Sequence, residues 1–141
     1  MAGLFLEDIS VGQSAEMVRV ASDEAVSAFA AISGDNNPLH LDEAFAQTTP
    51  FKTRVAHGML SGSYISAVLG GQLPGPGSVY LFQSLAFKRP VHIGDEVTAR
   101  VIVTEIDLVK GHVRLGTSCL VGGKVVVQGE ALVAPPRRPK A

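Results

Sequence analysis

Proton chemistry needs a carboxylate and an imidazole that can meet, and one short stretch of this chain holds both. Ser33-Gly34-Asp35-Asn36-Asn37-Pro38-Leu39-His40 carries Asp35 and His40 five positions apart. On a continuous helix their side chains would diverge by about 140°, at roughly 100° per residue. The stretch reads instead as a loop, with Pro38 fixing the backbone ahead of Leu39. A tight turn at Asn37-Pro38 would bring the two side chains together. A carboxylate beside an imidazole is a competent acid/base pair, because each tunes the other's proton affinity. The same spacing fits a second reading, in which Asp35 or Asn36 caps an Asx turn and His40 packs or caps the next helix. Residue types alone leave both open.

A second place with chemical potential is Val55-Ala56-His57-Gly58-Met59, at the start of an apolar helical stretch. The first N–H groups of a helix lack internal partners, and the helix dipole is positive there. With glycine at 58, no side chain shields that amide from a ligand oxygen, which is the geometry of an oxyanion hole. Gly58 also fits a purely packing role, and His57 reads as a structural histidine. Ser66 lies two turns further along the same helix, where serine usually bonds back to its own backbone. His92 and His112 fall beside turns at the surface. Cys119 sits at an alternating strand position and reads as a small core residue. No phosphate-binding glycine loop, dinucleotide fingerprint or histidine–carboxylate cluster at metal-ligand spacing is present. Neither a metal nor a nucleotide redox cofactor is therefore expected.

The elements that must position these residues fall into two halves. Ser22 is a plausible N-cap with Asp23 and Glu24 in the first turn, and Gly34 stops the helix that follows. A short helix from Asp42 to Gln47 ends before Pro50. A third runs from His57 or Gly58 to Leu69, is closed by Gly70-Gly71, and is flanked by small residues (Ser61, Gly62, Ser63, Ser66, Ala67) that suit a buried helix. From residue 78 the period changes to two. Ser78 to Phe87 reads as one strand, and Val97, Ala99, Val101 and Val103 share a face. Val113, Leu115, Thr117 and Cys119 repeat the pattern; after the Gly122-Gly123 hairpin, Val125, Val127, Gly129, Ala131 and Val133 do so again. Residues 14–20 add an edge strand. A helix followed by antiparallel hairpins predicts an α+β fold, a curved sheet wrapped around a helix. The exposed sheet edges favour closure by a second copy of the chain.

Composition sets outer limits. The chain has 141 residues, enough for one domain, and its 46% hydrophobic content excludes a wholly disordered polypeptide. Twelve Lys+Arg against thirteen Asp+Glu leave a net charge of -1, with no field to hold nucleic acid or an anionic membrane. No stretch approaches a membrane span, and the N-terminus lacks the basic flank of a signal peptide. A single cysteine makes a reducing, cytoplasmic setting the default. We read residues 1–134 as one domain and 135–141, Pro135-Pro136-Arg137-Arg138-Pro139-Lys140-Ala141, as a solvated, frayed basic tail.

Taken together, these segments resemble the (R)-specific 2-enoyl-CoA hydratases among the MaoC-like dehydratases of the hotdog fold. The resemblance rests on Phe29 through His40 with Ala46 at the expected interval, on Ala56-His57-Gly58-Met59-Leu60, on Phe82 through Val91, and on Gly94-Asp95-Glu96-Val97. It spans roughly residues 5 to 134, and the chain is close in size to stand-alone bacterial hydratases that supply polyhydroxyalkanoate synthesis. The resemblance implies a homodimer with an acyl-thioester tunnel along the subunit interface. It implies that Asp35 and His40 are the acid/base pair, that the Gly58 N–H meets the thioester carbonyl, that Ser66 lies near the pair, and that Asn37 and Ser66 bind the substrate. Leu69, Val68 and Leu132 are expected at the closed end of the tunnel. Lys88, Arg89, Lys52 and Arg54 are the cations expected to meet the coenzyme A phosphates, coenzyme A being part of the substrate and not a cofactor. Two rival activities remain at this stage: a hotdog acyl-CoA thioesterase, and a non-catalytic acyl-thioester binding protein.

Overall fold

The computed structural model describes residues 2–140. A turn of 3-10 helix at Leu6–Asp8 precedes an edge strand, β1 (Ser14–Val20). The first long helix, α1 (Asp23–Ser33), starts where predicted, because Ser22 Oγ accepts the Ala25 N–H at 3.1 Å. It stops at Gly34, whose φ of +80° places it in the left-handed region that glycine enters without strain.

The stretch read as a loop contains a helical turn. Asn37 Oδ1 accepts the Leu39 N–H at 3.0 Å, and Pro38 takes the first helical position of α2 (Pro38–Leu41). His40 therefore sits on a short helix. Asp42 caps the next, α3 (Glu43–Ala46), by accepting the Phe45 N–H at 3.2 Å. An irregular segment then leads to α4 (Gly58–Gly71), the longest helix of the fold.

The second half forms β2 (Val79–Gln83), β3 (Ala86–Phe87), β4 (Glu96–Asp107), β5 (His112–Val121) and β6 (Lys124–Ala134). The single strand expected over Ser78–Phe87 is thus two. Ser84 interrupts it by accepting the Glu130 N–H on its Oγ while its carbonyl rests against Gly129, where any Cβ would lie 1.8 Å from that oxygen. All pairings are antiparallel, in the order β1-β4-β5-β6-β2, with β3 also on β6. Ala99 faces Cys119, Val101 faces Thr117 and Val103 faces Leu115, so one buried face runs across both strands. Each fully buried valine there contributes about 1.5–3 kcal/mol relative to exposure. A register shift near Cys119 places Val126 in the core and leaves Val125 half-buried, a local departure from the simple alternation.

Helix α4 contacts β1, β4, β5 and β6. Strands spaced about 4.8 Å apart can all touch one helix only if the sheet curves around it. The face carrying Leu60, Ile65, Val68 and Leu69 is buried against this sheet. The small residues Ser63, Ser66 and Ala67 are exposed, so α4 is buried on one side only, not throughout as its composition suggested. Beside that open side, sharing a cavity with Ser63 and Ser66, lie the exposed apolar side chains Leu81 and Phe82 of β2. The terminal tail also differs from expectation. Pro136 O accepts the Leu6 N–H at 2.8 Å, and Arg138 pairs with Asp8 and stacks on Phe5. The described part of the tail, through Lys140, is docked along the N-terminal turn at its start; Ala141 lies outside the described residues.

Candidate active site

The chain reversal at Gly34 and the cap at Asn37 turn Asp35 and the ring of His40 toward the N-terminal tip of α4. There the ligating atoms of Asp35, His40 and His57 all lie within 4.8 Å of one another. The fold thus gathers a histidine–carboxylate cluster that linear spacing kept apart, and its donor set could hold a cation as well as move protons. Asp35 is exposed, whereas His40 and His57 are buried.

Hydrogen bonds fix both rings. His40 Nδ1 lies 2.7 Å from Val55 O and His57 Nε2 lies 3.0 Å from Asp35 O. A carbonyl oxygen only accepts, so in each case the ring nitrogen donates. His40 keeps a bare lone pair on Nε2, as a general base requires. His57 keeps one on Nδ1, which is buried and has no partner among the described residues. The two rings stack with centroids 3.9 Å apart, and Phe29 packs on the other partner, 4.9 Å from His57.

Gly58 is the first residue of α4, and its N–H has no acceptor among the described residues. A Cβ at this position would lie 2.6 Å from the Phe87 ring. Glycine is therefore required for close approach as well as for leaving the amide open. Asp35, His40, His57, Gly58 and Phe87 share one cavity of about 560 Å³, with Lys88 and Arg89 on its rim.

The remaining expected residues are distributed differently. Ser66 lines a neighbouring cavity of about 490 Å³ with Phe29, Tyr80, Phe82 and Leu85; the two cavities have Met59 in common. Partial burial raises the Tyr80 phenol above its ordinary pKa, keeping a neutral hydroxyl that donates to Gln83. Asn37 is occupied as the cap of α2 and lines neither cavity. Leu69, like Val68, is buried in the core beneath α4. Leu132 faces the other side of the sheet, in a polar recess with Glu105 and Arg114, because its strand neighbours Ala131 and Val133 take the inward positions. Neither leucine closes either cavity. Arg54 is spent on structure, donating to His40 O at 2.7 Å and pairing with Asp23 at 2.7 Å, so it is not a free phosphate contact. Lys52 is exposed. Phe87 and Met59 are not singled out by residue type; their only sequence signal is that they lie within two segments that carry the resemblance, Phe82 through Val91 and Ala56 through Leu60.

Residues 9–121 match the family described as MaoC like domain. The chain is 54% identical over 134 residues to a protein of Rhodospirillum rubrum named (R)-specific enoyl-CoA hydratase, covering 95% of this chain and 93% of that one. Against the unliganded R-hydratase of Pseudomonas aeruginosa the TM-score is 0.91 at 46% identity, over 96% of this chain and 88% of the other. The (R)-hydratase of Aeromonas caviae involved in PHA biosynthesis superposes with a TM-score of 0.90 at 50% identity, covering 92% and 99%.

Proposed function

Because the chain belongs to the MaoC-like domain family and has the hotdog fold of its hydratases, we propose that it is an (R)-specific enoyl-CoA hydratase. This hydro-lyase adds water reversibly to a trans-2-enoyl-CoA to give the (R)-3-hydroxyacyl-CoA. The observation that carries the reading is the convergence of Asp35, His40 Nε2 and the unpartnered Gly58 amide on one cavity.

The chemistry follows from those groups. A conjugated thioester is electrophilic at Cβ, but water is a weak nucleophile at neutral pH. Asp35 and His40 orient one water and take a proton from it as its oxygen bonds to Cβ. Electron density moves through the double bond to the thioester oxygen, where the Gly58 N–H and the positive end of α4 stabilise it. A proton returned to Cα restores the pair and completes the addition; the reverse order is dehydration. These steps need proton transfer and carbonyl polarisation, which the chain's own residues supply, so the reading calls for no metal and no cofactor beyond the coenzyme A carried by the substrate. The acyl-CoA would meet Lys88 and Arg89 at the cavity rim.

The open side of α4 and the exposed β2 side chains support a homodimer that covers this face. A lone buried thiol suits a reducing cytoplasm, and among the described residues no helix is long and apolar enough to cross a membrane. A product of (R) configuration suits polyhydroxyalkanoate synthesis, and the Aeromonas hydratase is involved in PHA biosynthesis. Incubation with crotonyl-CoA tests the activity: enoyl absorbance falls and no free thiol forms. Thiol release would instead assign a thioesterase, and binding without turnover a carrier.

A further inference from the structure

We infer that His57 is the positioning residue of this site: its Nε2–H holds the Asp35 backbone, and its ring sets the plane of His40. The inference rests on the hydratase reading and adds to it a third side chain. Segment 34–37, which carries Asp35, is exposed. Its other hydrogen bonds reach no further than four residues along the chain: Gly34 to Ala30, Asp35 to Ser33, Asn36 to Gly34, Asn37 to Asp35, and both Leu39 and His40 to Asn37. The one long-range bond to it among the described residues comes from His57, at 3.0 Å. Without that bond the carboxylate would ride on a locally tied turn.

The same ring packs against His40 at a centroid distance of 3.9 Å and an interplanar angle of 31°, and His57 is bonded directly to Gly58. One residue therefore touches both members of the pair and precedes the amide opposite them. Its Nδ1 is buried without a partner, a cost that a phenylalanine or leucine of similar bulk would avoid. Packing alone does not explain a histidine here. The Nε2–H donor does.

Three variants separate positioning from packing. His57→Phe keeps a flat ring against His40 and Phe29 but removes the donor. His57→Gln loses the ring but carries an amide N–H that reaches as far as Nε2, whereas the amide of His57→Asn stops at the Nδ1 position. With crotonyl-CoA, kcat of His57→Phe and His57→Asn should fall about 100-fold, the loss expected for a displacement of about 1 Å in a reacting group. KM should stay within about threefold, and His57→Gln should recover most of the loss. The Gln and Asn pair keeps the comparison alive if the Phe variant does not fold. The inference is overturned if Gln falls as far as Asn, if all variants turn over at the parent rate, or if the loss lies in KM. A parent protein that leaves crotonyl-CoA unchanged overturns the hydratase reading beneath it, and does so before any variant is compared.

Discussion

The β4–β5–β6 hairpins and the turn that bears Asp35 are held by different means. In the hairpins nearly every residue faces a registered partner, and Val97, Ala99 and Val101 have no exposed surface. In segment 34–37 the side chain that matters is exposed, and one long-range hydrogen bond fixes the backbone. Stability is thus concentrated where the chain does no chemistry, and chemistry where the chain adds little stability. Substitutions in the first region should move unfolding and leave turnover alone; those in the second should do the reverse.

The largest effect should come from the pair itself. Asp35→Asn and His40→Ala should each lower kcat for crotonyl-CoA hydration by about 10³-fold, within the range for loss of a general acid/base. Because Asp35 is exposed, Asp35→Asn should change unfolding free energy by no more than about 0.5 kcal/mol in a denaturant titration. Hydration at the parent rate by either variant would remove the assignment of the pair. A large loss of stability in Asp35→Asn would erase the contrast between the two regions.

A smaller loss is expected at the tip of α4, where the group of interest is a backbone amide. Proline is tolerated at the first position of a helix. His57, with ψ of 137°, has the extended backbone that a following proline requires. The obstacle is the Phe87 ring, 2.6 Å from where a Cβ would stand. Gly58→Pro in a Phe87→Ala background deletes the N–H without that clash, and Phe87→Ala alone is the reference. Turnover should fall by about 10² to 10³-fold relative to it, as for loss of one oxyanion donor. An unchanged rate would mean that the thioester oxygen is held elsewhere.

How much of this was legible beforehand follows the same division. The sheet could be read because alternation is a local signal: Val97 through Val103 and Val113 through Cys119 each announce a face within seven residues. The exceptions, the break at Ser84 and the shift that buries Val126, depend on what a neighbouring strand does and leave no trace in the strand itself. The site was legible only in pieces. Asp35, His40 and Gly58 could be named by type and local context, but their meeting, and the bond from His57 to Asp35, join residues 22 apart in sequence. Leu132 shows the limit from the other side. Its residue type suited a tunnel wall, yet the inward positions of β6 belong to Ala131 and Val133.

The smallest effect, and the sharpest control on the comparison, belongs to Cys119 near the end of β5. Burial pushes its thiol from an ordinary value near 9 up to about 12, because the thiolate would be stranded among core side chains. The sign of the consequence is fixed by linkage. Below pH 9 the thiol is protonated folded or unfolded and contributes no pH dependence. Above pH 9 the unfolded chain releases the proton while the folded one keeps it, so ionisation favours unfolding. The thiol's share of stability should fall by about 1.4 kcal/mol per pH unit between pH 9 and about 12. Cys119→Ala lacks that proton. It should cost about 1 kcal/mol at pH 7 through lost packing and the contact with Ser61 O, and the deficit should close near pH 10. Reading the difference between parent and variant cancels every other group that titrates in this range. Turnover should be unaffected, since Cys119 lines neither cavity. Parallel loss of stability in the two proteins from pH 8 to 10.5 would mean that solvent reaches the thiol and that the sheet is less tightly closed over α4 than its register implies.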